Sequence, residues 1–249
     1  MGEDKPEQQL VSMVQSGSMA LITLTRAAQA NAYNQVMLAE MVRMLDEAEV
    51  DSCIRTIVFT GEGERAFSSG ADRHEIAVRD WRSVLSLKSA ALFERIRKSP
   101  KVTLAAINGV AVGGGLELAL SCDIRLALPH ARFWLPEAEF GLIPAAAATR
   151  LLPRTVGALR AKDLVLGGVK WDAADAMGAG LLSEIASEGA LMDCVAKWVN
   201  RIERRDADAI WLAKQALEMS SSGADTSQFD LLAQALLVQL QANRTKDTA

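Results

Sequence analysis

The sequence predicts an α/β fold followed by a C-terminal helical region, and three observations support this prediction. Short β-branched segments alternate with amphipathic helical segments as far as about residue 157. Beyond that point the strand signal fades while the helical periodicity continues. Half of the 249 residues are hydrophobic, so the chain can bury a large core without disulfides or metals. We expect a core domain over residues 1–190 and a helical region over residues 191–249.

The first part of the chain predicts a hairpin, a helix and a buried strand, in that order. Apolar segments Val11–Val14 and Met19–Leu24 flank Ser16-Gly17-Ser18, which has the composition of a tight hairpin turn. In Asn34–Ala48 the apolar residues recur at spacings of three and four, which predicts an amphipathic helix with Asn34 as its N-cap. The β-branched segment Ile54–Thr60 predicts a buried strand.

The later strands are predicted from their apolar composition and the later helices from apolar spacings of three and four residues. The predicted strands are Val102–Ile107 and Ile124–Leu128, and the predicted helices are Leu85–Lys98, Gly115–Cys122, Ala161–Leu166, Asp172–Ala176, Leu191–Arg204, Ala207–Met219 and Phe229–Leu240.

Composition and charge exclude several classes of protein. The net charge is -4 and the pI about 5.4, which argues against a nucleic-acid-binding protein. Cys53, Cys122 and Cys194 are far apart, and their spacing fits neither a zinc site nor a disulfide framework. The polar, acidic start does not resemble a signal or transit peptide, and the longest uncharged apolar-rich run, residues 102–116, is too short to span a bilayer. We expect a cytoplasmic protein without membrane contact.

The stretch AVGGGLELAL, residues 111–120, combines three glycines with a lone carboxylate in an apolar run. It is not a dinucleotide-binding loop, because Leu118 stands where the third glycine belongs, and no phosphate-binding lysine follows the glycines. A helix that begins at these glycines would offer free N–H groups to a carbonyl oxygen or an anion. Close backbone packing, where no side chain fits, explains the glycines equally well.

Glu117 is the only charge in this run, and two interpretations of it stay open from the residue alone. It could line a cavity as a general acid or base, because partial burial raises a carboxyl pKa toward neutrality. It could instead be a residue of the first helical turn that the helix dipole favours. A second carboxylate, Glu137, follows a proline at the end of the apolar segment FWLP.

Four stretches in this order resemble the enoyl-CoA hydratase/isomerase (crotonase) superfamily, from about Met19 to Trp198. They are Thr25-Arg26 with Asn31-Ala32, FSSGAD at 67–72, AAINGVAVGGGLELALSCDIRLA at 105–127 and FWLPEAEFGLIP at 133–144. The resemblance implies a crotonase-like spiral of ββα turns with a C-terminal helical trimerisation region. It therefore implies a homo-trimer or a dimer of trimers.

The resemblance also implies roles for individual residues. The backbone N–H groups of Ala71 and Gly114 would form an oxyanion hole that binds the thioester oxygen of an acyl-CoA. Glu117 and Glu137 would be the two catalytic carboxylates of a hydratase, which adds water across the trans-2 double bond. Which glutamate is acid and which is base stays open. The presence of both favours hydration, since family isomerases commonly lack one of them.

Further implied contacts are with coenzyme A, which would be part of the substrate. Arg26 would lie near the CoA phosphates, and Ala71, Asp72, Arg73 and His74 would run beside the CoA. Asp72 has a second interpretation, in which it holds its loop in place. No metal and no redox cofactor are expected.

The sequence departs from the family pattern after Pro144, where Ala145–Ala148 replaces a glycine-rich tract. The alanines favour helix and would add methyl groups near the second glutamate, Glu137. Two alternatives to simple hydration therefore stay open. One is isomerisation, or another reaction of the family on a branched or dicarboxylic acyl-CoA, with Arg73 or His74 meeting an extra carboxylate. The other is a non-catalytic CoA- or RNA-binding homologue, which the acidic pI and the two glutamates argue against.

Overall fold

The computed structural model describes residues 9–247 of the chain. In chain order its strands and helices are β1 (Val11–Ser16), β2 (Met19–Leu24), α1 (Gln35–Val50), β3 (Thr56–Gly61), β4 (Ala66–Ser68), α2 (Arg73–Ala77), α3 (Trp81–Leu85), α4 (Lys88–Lys98), β5 (Val102–Ile107), β6 (Val110–Val112), α5 (Gly114–Ser121), β7 (Ile124–Ala127), β8 (Arg132–Trp134), α6 (Ala148–Val156), α7 (Ala158–Val165), β9 (Trp171–Asp172), α8 (Ala173–Gly178), β10 (Glu184–Ile185), α9 (Leu191–Glu203), α10 (Ala207–Ser221) and α11 (Ser227–Asp247). Two 3₁₀ turns lie at Ala27–Gln29 and Glu137–Phe140.

The larger sheet has six strands in the order β1-β2-β3-β5-β7-β10. β1 and β2 pair antiparallel as a hairpin, and the later pairings are parallel. β3 and β5 are buried along their whole length. Continuous apolar runs of this kind are typical of parallel strands that are covered on both faces.

A smaller sheet has the order β4-β6-β8-β9 and runs beside the first. Three successive strands of the larger sheet, β3, β5 and β7, are each followed within a few residues by a strand of the smaller one, β4, β6 and β8. Helical segments come after each such pair of strands. The chain therefore advances as repeated ββα turns, and the second strand of each turn leads directly into the segment that carries the candidate site residues.

Most of the predicted regular elements are confirmed. The hairpin, the strand Val102–Ile107 and the helices beginning at Leu191 and Ala207 lie where the sequence places them, to within a few residues. Asn34 is the N-cap of α1, and its side chain accepts a hydrogen bond from the Met37 N–H. The side chains of α1 that face the core are those at the spacings of three and four: Met37, Leu38, Met41, Met44, Leu45 and Ala48.

Several predicted boundaries are wrong: the helix predicted over Ala161–Leu166 is α7, which begins at Ala158, and the helix predicted over Phe229–Leu240 is α11, which runs from Ser227 to Asp247. Two other deviations have a visible local cause. The helix predicted from Leu85 begins at Lys88, because Asp80 caps a separate short helix, α3, that ends at Leu85. The strand predicted from Ile54 begins at Thr56, since the Ile54 N–H turns back to Asp51 and its carbonyl accepts from Lys101 Nζ. Both deviations arise from contacts that the periodicity of the segment does not contain.

The described chain divides into two compact units, with the boundary between Val199 and Asn200. The second unit is helical, and α10 packs against α11 within it. Arg244 of α11 donates to Asp206 and Asp208 at 2.6 Å each, which ties the two helices together. The domain boundary predicted at residues 190/191 stays a prediction. Among residues 9–247 there is no helix with the length and apolarity needed to cross a membrane.

Candidate active site

The glycine turn between β6 and α5 is the centre of the candidate site, and each of its glycines meets a different neighbour. Gly113 has a φ of +52°, a conformation that glycine adopts without strain. An added Cβ would lie 2.7 Å from Glu137 Oε1 at Gly113, 2.0 Å from Tyr33 Oη at Gly114 and 2.1 Å from the Ser68 carbonyl oxygen at Gly115. Close packing therefore requires all three glycines, and the same packing brings a carboxylate and a phenol to the start of α5.

Glu117 lies in the first turn of α5 with 4% of its surface exposed. Its Oε1 accepts hydrogen bonds from the backbone N–H groups of Ala147 at 2.7 Å and Ala148 at 2.9 Å. Burial raises the pKa of this carboxyl, and hydrogen bonds from Ala148, Ala147 and Ala146 oppose the rise. The fold thus supplies donors to a carboxylate that it has removed from water.

Glu137 begins the 3₁₀ turn that follows Pro136 and is half-buried. Burial raises its pKa from 4.5 to about 7, and the charge of Glu117 adds to the rise. Its Oε2 is buried and has no hydrogen-bond partner among the described residues. Because a buried polar atom without a partner is costly, this oxygen is suited to a partner that comes with a ligand.

The two backbone segments of the predicted oxyanion hole lie side by side. Gly70 has a φ of +89°, and an added Cβ there would lie 2.9 Å from the Gly114 nitrogen. In the described chain, the N–H groups of Ala71 and Gly114 donate to no other group. Gly114 opens α5, so its N–H is one of the free donors at a helix start. Two unpaired donors from neighbouring segments can bind one oxygen atom.

The residues predicted to contact CoA form a cluster held by an ion pair. Arg26 Nη1 lies 2.9 Å from Asp72 Oδ2 and also donates to the Ala32 carbonyl at 2.7 Å. Asp72 caps α2 by accepting from the His74 N–H. Partial burial would raise its pKa, but the hydrogen bond from His74 and the charge of Arg26 hold it below its usual value. Asp72 therefore holds its loop in place, and phosphate binding by Arg26 stays a prediction.

Arg73 and His74 are exposed on the first turn of α2. The Arg73 guanidinium lies over the ring of Phe140, 5.5 Å from its centre, in a cation–π contact. Phe140 belongs to the same 3₁₀ turn as Glu137, so α2 lies beside the segment that carries the second carboxyl.

The alanine tract contacts a different glutamate from the one the sequence suggested. Its amides bind Glu117, the first carboxylate, and the expectation of methyl groups beside Glu137 stays a prediction. Ala145 to Ala147 form a turn, and α6 begins only at Ala148. The tract binds Glu117 through backbone N–H groups, and a comparison of side chains with the family pattern does not reveal such a contact.

Tyr33 is the residue of this site that sequence reasoning missed. It is 2% exposed, and its hydroxyl lies against Gly114. The signal available in the sequence was slight: it is the single tyrosine of the chain and directly follows Asn31-Ala32.

Comparison with known proteins gives a consistent result. The family model described as enoyl-CoA hydratase/isomerase matches residues 14–247. The 2,3-dehydroadipyl-CoA hydratase of Escherichia coli strain K12 is 37% identical over 204 residues, which are 82% of this chain and 80% of that protein. The 1,2-epoxyphenylacetyl-CoA isomerase of the same strain is 32% identical over 228 residues, 89% of this chain and 86% of that protein.

Solved structures match the fold closely. An enoyl-CoA hydratase from Bacillus anthracis has a TM-score of 0.87 at 31% identity and covers 96% of this chain and 97% of its own. A putative enoyl-CoA hydratase from Thermobifida fusca YX, in complex with CoA, has a TM-score of 0.85 at 28% identity. The match covers 94% of this chain and 95% of that chain. The predicted crotonase-like α/β fold with C-terminal helices is confirmed.

Proposed function

The chain belongs to the enoyl-CoA hydratase/isomerase family, and we propose that it is a hydratase that adds water across the trans-2 double bond of an enoyl-CoA. The pairing of Glu117 with Glu137 carries this proposal. Both carboxyls are removed from water and have raised pKa values, and they lie at the same glycine turn. Hydration needs one group that takes a proton and another that gives one, and a coupled pair of carboxyls supplies both.

In the proposed reaction the thioester oxygen accepts hydrogen bonds from the N–H groups of Ala71 and Gly114. The water oxygen forms a bond to the β-carbon, and a proton of the water passes to one glutamate. The electron pair of the double bond moves onto the thioester oxygen as an enolate, which the two N–H groups stabilise. The enolate then collapses as the α-carbon takes a proton from the other glutamate, and proton exchange resets the pair.

We assign the base to Glu117 and the acid to Glu137 within this proposal. Glu117 accepts two backbone N–H groups, and such hydrogen bonds favour the charged form. Glu137 has no comparable donors on its Oε2, and the Glu117 charge helps to keep its pKa at about 7. A carboxyl in that range is protonated often enough at neutral pH to act as an acid.

Hydration neither oxidises nor reduces the substrate, so the proposed reaction needs no redox cofactor. The two carboxyls and the two N–H groups account for each proton and charge in it. We therefore propose that coenzyme A enters only as part of the substrate, which agrees with a CoA complex of a solved structure of similar fold.

The direct test is the loss of enoyl-thioester absorbance when the purified protein meets crotonyl-CoA. Glu117→Gln and Glu137→Gln should each lower kcat by about 10²–10⁴-fold, because each removes one proton-transfer group. The exposed Glu139, on the same 3₁₀ turn, offers a matched control, and Glu139→Gln should keep the native rate. Near-native turnover in either active-site variant would contradict the assigned roles.

Isomerisation is the second candidate, because an isomerase is among the similar proteins. Moving a double bond requires one base that shuttles a proton between two carbons, so it should tolerate the loss of one glutamate better than hydration does. A 3-enoyl-CoA offered to both glutamine variants separates the two reactions. If the native protein and one variant convert it while the native protein does not hydrate crotonyl-CoA, isomerisation is the activity.

A dicarboxylic substrate is a third candidate, favoured by the 2,3-dehydroadipyl-CoA hydratase among the relatives. Burial and Glu117 raise the pKa of Tyr33, and the charge of Arg79 opposes that rise, so the Arg79 charge acts on a residue of the candidate site. No carboxylate of the described chain forms an ion pair with it. The ratio of kcat/KM for 2,3-dehydroadipyl-CoA and crotonyl-CoA should fall in Arg79→Gln and not in Arg73→Gln. The reverse result would indicate that Arg73, and not Arg79, binds the second carboxylate of the substrate.

We also propose that the chain forms a homo-trimer or a dimer of trimers, as the resemblance implies. Large apolar side chains of α11 support an assembly, since Leu231 is 73% and Leu232 71% exposed in the single chain. Light scattering coupled to size exclusion should give about three or six times the 26.8 kDa chain mass. A mass of one chain at micromolar concentration would contradict this.

A further inference from the structure

Tyr33 touches both halves of the candidate oxyanion hole, one with its backbone and the other with its side chain. Its backbone pairs with Ala71 in a single parallel bridge: the Tyr33 N–H donates to the Gly70 carbonyl, and the Asp72 N–H donates to the Tyr33 carbonyl, each at 2.8 Å. In a parallel bridge the middle residue directs its own N–H to the opposite side. The pairing therefore turns the Ala71 N–H away from Tyr33 and leaves it unpaired.

The side chain of Tyr33 reaches the other half. A Cβ added to Gly114 would lie 2.0 Å from Tyr33 Oη, 2.9 Å from Cζ and 3.1 Å from Cε1. The hydroxyl and the ring edge thus pack on the residue whose N–H is the second donor. Ser89, which is itself buried on α4, lies close enough to the Tyr33 hydroxyl to lower its pKa.

The ring cannot easily shift away from this contact. It packs edge-to-face against Phe93, with the ring centres 5.9 Å apart and the planes at 88°. Tyr33 is 2% and Phe93 1% exposed. Burial and the neighbouring charge of Glu117 raise the Tyr33 pKa well above its ordinary value, so the phenol keeps its proton and can serve as a donor throughout the neutral range.

We propose that Tyr33 is a positioning residue that sets the spacing between the Ala71 and Gly114 N–H groups. This inference rests on the proposed acyl-CoA chemistry, in which those two groups bind the thioester oxygen. The hydroxyl, on a ring that packs against Phe93, limits how closely Gly114 can approach, while the backbone of Tyr33 fixes the segment that carries Ala71. Oxyanion stabilisation depends on donors held to within a few tenths of an ångström of their best positions. A looser contact between Tyr33 and Gly114 would therefore weaken the hydrogen bonds from both donors.

The test measures how strongly the site polarises a bound thioester. The carbonyl stretching frequency of bound butyryl-CoA, which has no double bond to hydrate, reports the strength of the two hydrogen bonds by infrared difference spectroscopy. In Tyr33→Phe the ring remains and the hydroxyl is lost. We expect a smaller lowering of this frequency than in the native protein, kcat for crotonyl-CoA lower by about tenfold, and KM within about twofold.

Two further variants separate positioning from ordinary core packing. Ser89→Ala removes the polar neighbour of the Tyr33 hydroxyl and should move the carbonyl frequency in the same direction as Tyr33→Phe. Phe59→Leu removes a comparably buried aromatic side chain from β3 and should lower the melting temperature without moving the frequency. If Tyr33→Phe lowers the melting temperature as Phe59→Leu does and leaves both kcat and the frequency unchanged, Tyr33 is a core residue and the proposal fails.

The same design keeps this inference apart from the proposed hydration. A native protein that lowers the carbonyl frequency of butyryl-CoA but does not hydrate crotonyl-CoA would overturn hydration alone. The carbonyl frequency measured in the Tyr33 variants would still test the positioning role. A native protein that hydrates crotonyl-CoA at the same rate with phenylalanine at position 33 would overturn the role of Tyr33 alone.

Discussion

Replacing Glu137 by glutamine removes a carboxyl that the fold partly withdraws from water, and we expect this to stabilise the protein at alkaline pH. In the native protein the pKa of Glu137 is about 7 rather than 4.5, mainly because of burial. A carboxyl whose pKa is raised by folding binds its proton more tightly in the folded chain. The free energy of unfolding therefore falls as the pH rises from about 4.5 to about 7, and the loss is complete above that range.

The size of the effect follows from the two pKa values. A pKa difference of this size corresponds to a free energy of about 3 kcal/mol. Because the side chain is only half-buried and solvent screens part of the interaction, we expect about half of that, roughly 1.5 kcal/mol. Glutamine has nearly the same shape as glutamate and carries no charge at any of these pH values. The free energy of unfolding of the variant therefore lacks this fall with rising pH.

Urea unfolding at pH 5 and pH 8.5 measures the effect, with Glu139→Gln as the matched control for removing one exposed charge from the same turn. At pH 5 we expect Glu137→Gln and the native protein to have similar stability. At pH 8.5 we expect Glu137→Gln to be more stable than the native protein by roughly 1.5 kcal/mol. The dependence of the unfolding free energy on urea concentration should be the same in both proteins.

One result would refute the reasoning directly. If Glu137→Gln and Glu139→Gln differ from the native protein by the same amount at both pH values, Glu137 is not held in an unfavourable environment. The argument that it acts as an acid near neutral pH would then lose its physical basis. Lower activity combined with higher stability at pH 8.5 is the expected pattern for a residue that serves function at the expense of stability.

Three further substitutions test other contacts of the site. Gly114→Ala places a methyl carbon 2.0 Å from Tyr33 Oη, so urea unfolding should show a loss of about 2 kcal/mol, part of which Tyr33→Ala should relieve in a double-mutant cycle. Glu117→Gln removes a charge that raises the pKa of Glu137, so the titration midpoint of the Glu137 carboxyl, followed by infrared spectroscopy, should move below pH 7. An unchanged midpoint would show that the two carboxyls are not coupled. Asn31→Ala removes a fully buried amide that bonds the backbone at three places, and unfolding should become easier by about 3 kcal/mol; a loss below 1 kcal/mol would contradict this.

The long, periodic elements of the fold could be predicted from the sequence because their own residues decide them. The strand Val102–Ile107 is apolar apart from Thr103, and α1 carries apolar residues along one face together with a capping residue. The smaller sheet could not be predicted. Its strands β4, β6 and β8 have three residues each, which is too short to show a period, and they exist because neighbouring strands supply their hydrogen bonds.

The candidate site shows the same division between local and non-local information. Resemblance to a family pointed to Glu117, Glu137, Ala71 and Gly114, and the structure brings the segments that carry them together at one turn. Nothing in the local sequence indicated that Tyr33 would reach Gly114, because the two are far apart in the chain and meet only in the folded structure. A tyrosine before a helix is ordinary in composition, and its role emerges from tertiary contacts alone.

The alanine tract shows why a departure from a family pattern need not disturb a site. Glu117 is bound there by the N–H groups of residues 147 and 148, and a backbone N–H is present whichever side chain the residue carries, proline excepted. Ala147 has a negative φ of -157°, so the left-handed backbone that favours glycine is not required at that point. Replacing a glycine-rich tract with alanines therefore keeps the donors that make the burial of Glu117 tolerable, while the stiffer backbone restricts the unfolded chain. The chain accepts a buried carboxylate beside three glycines because the glycines admit its neighbours and the alanines supply its hydrogen bonds.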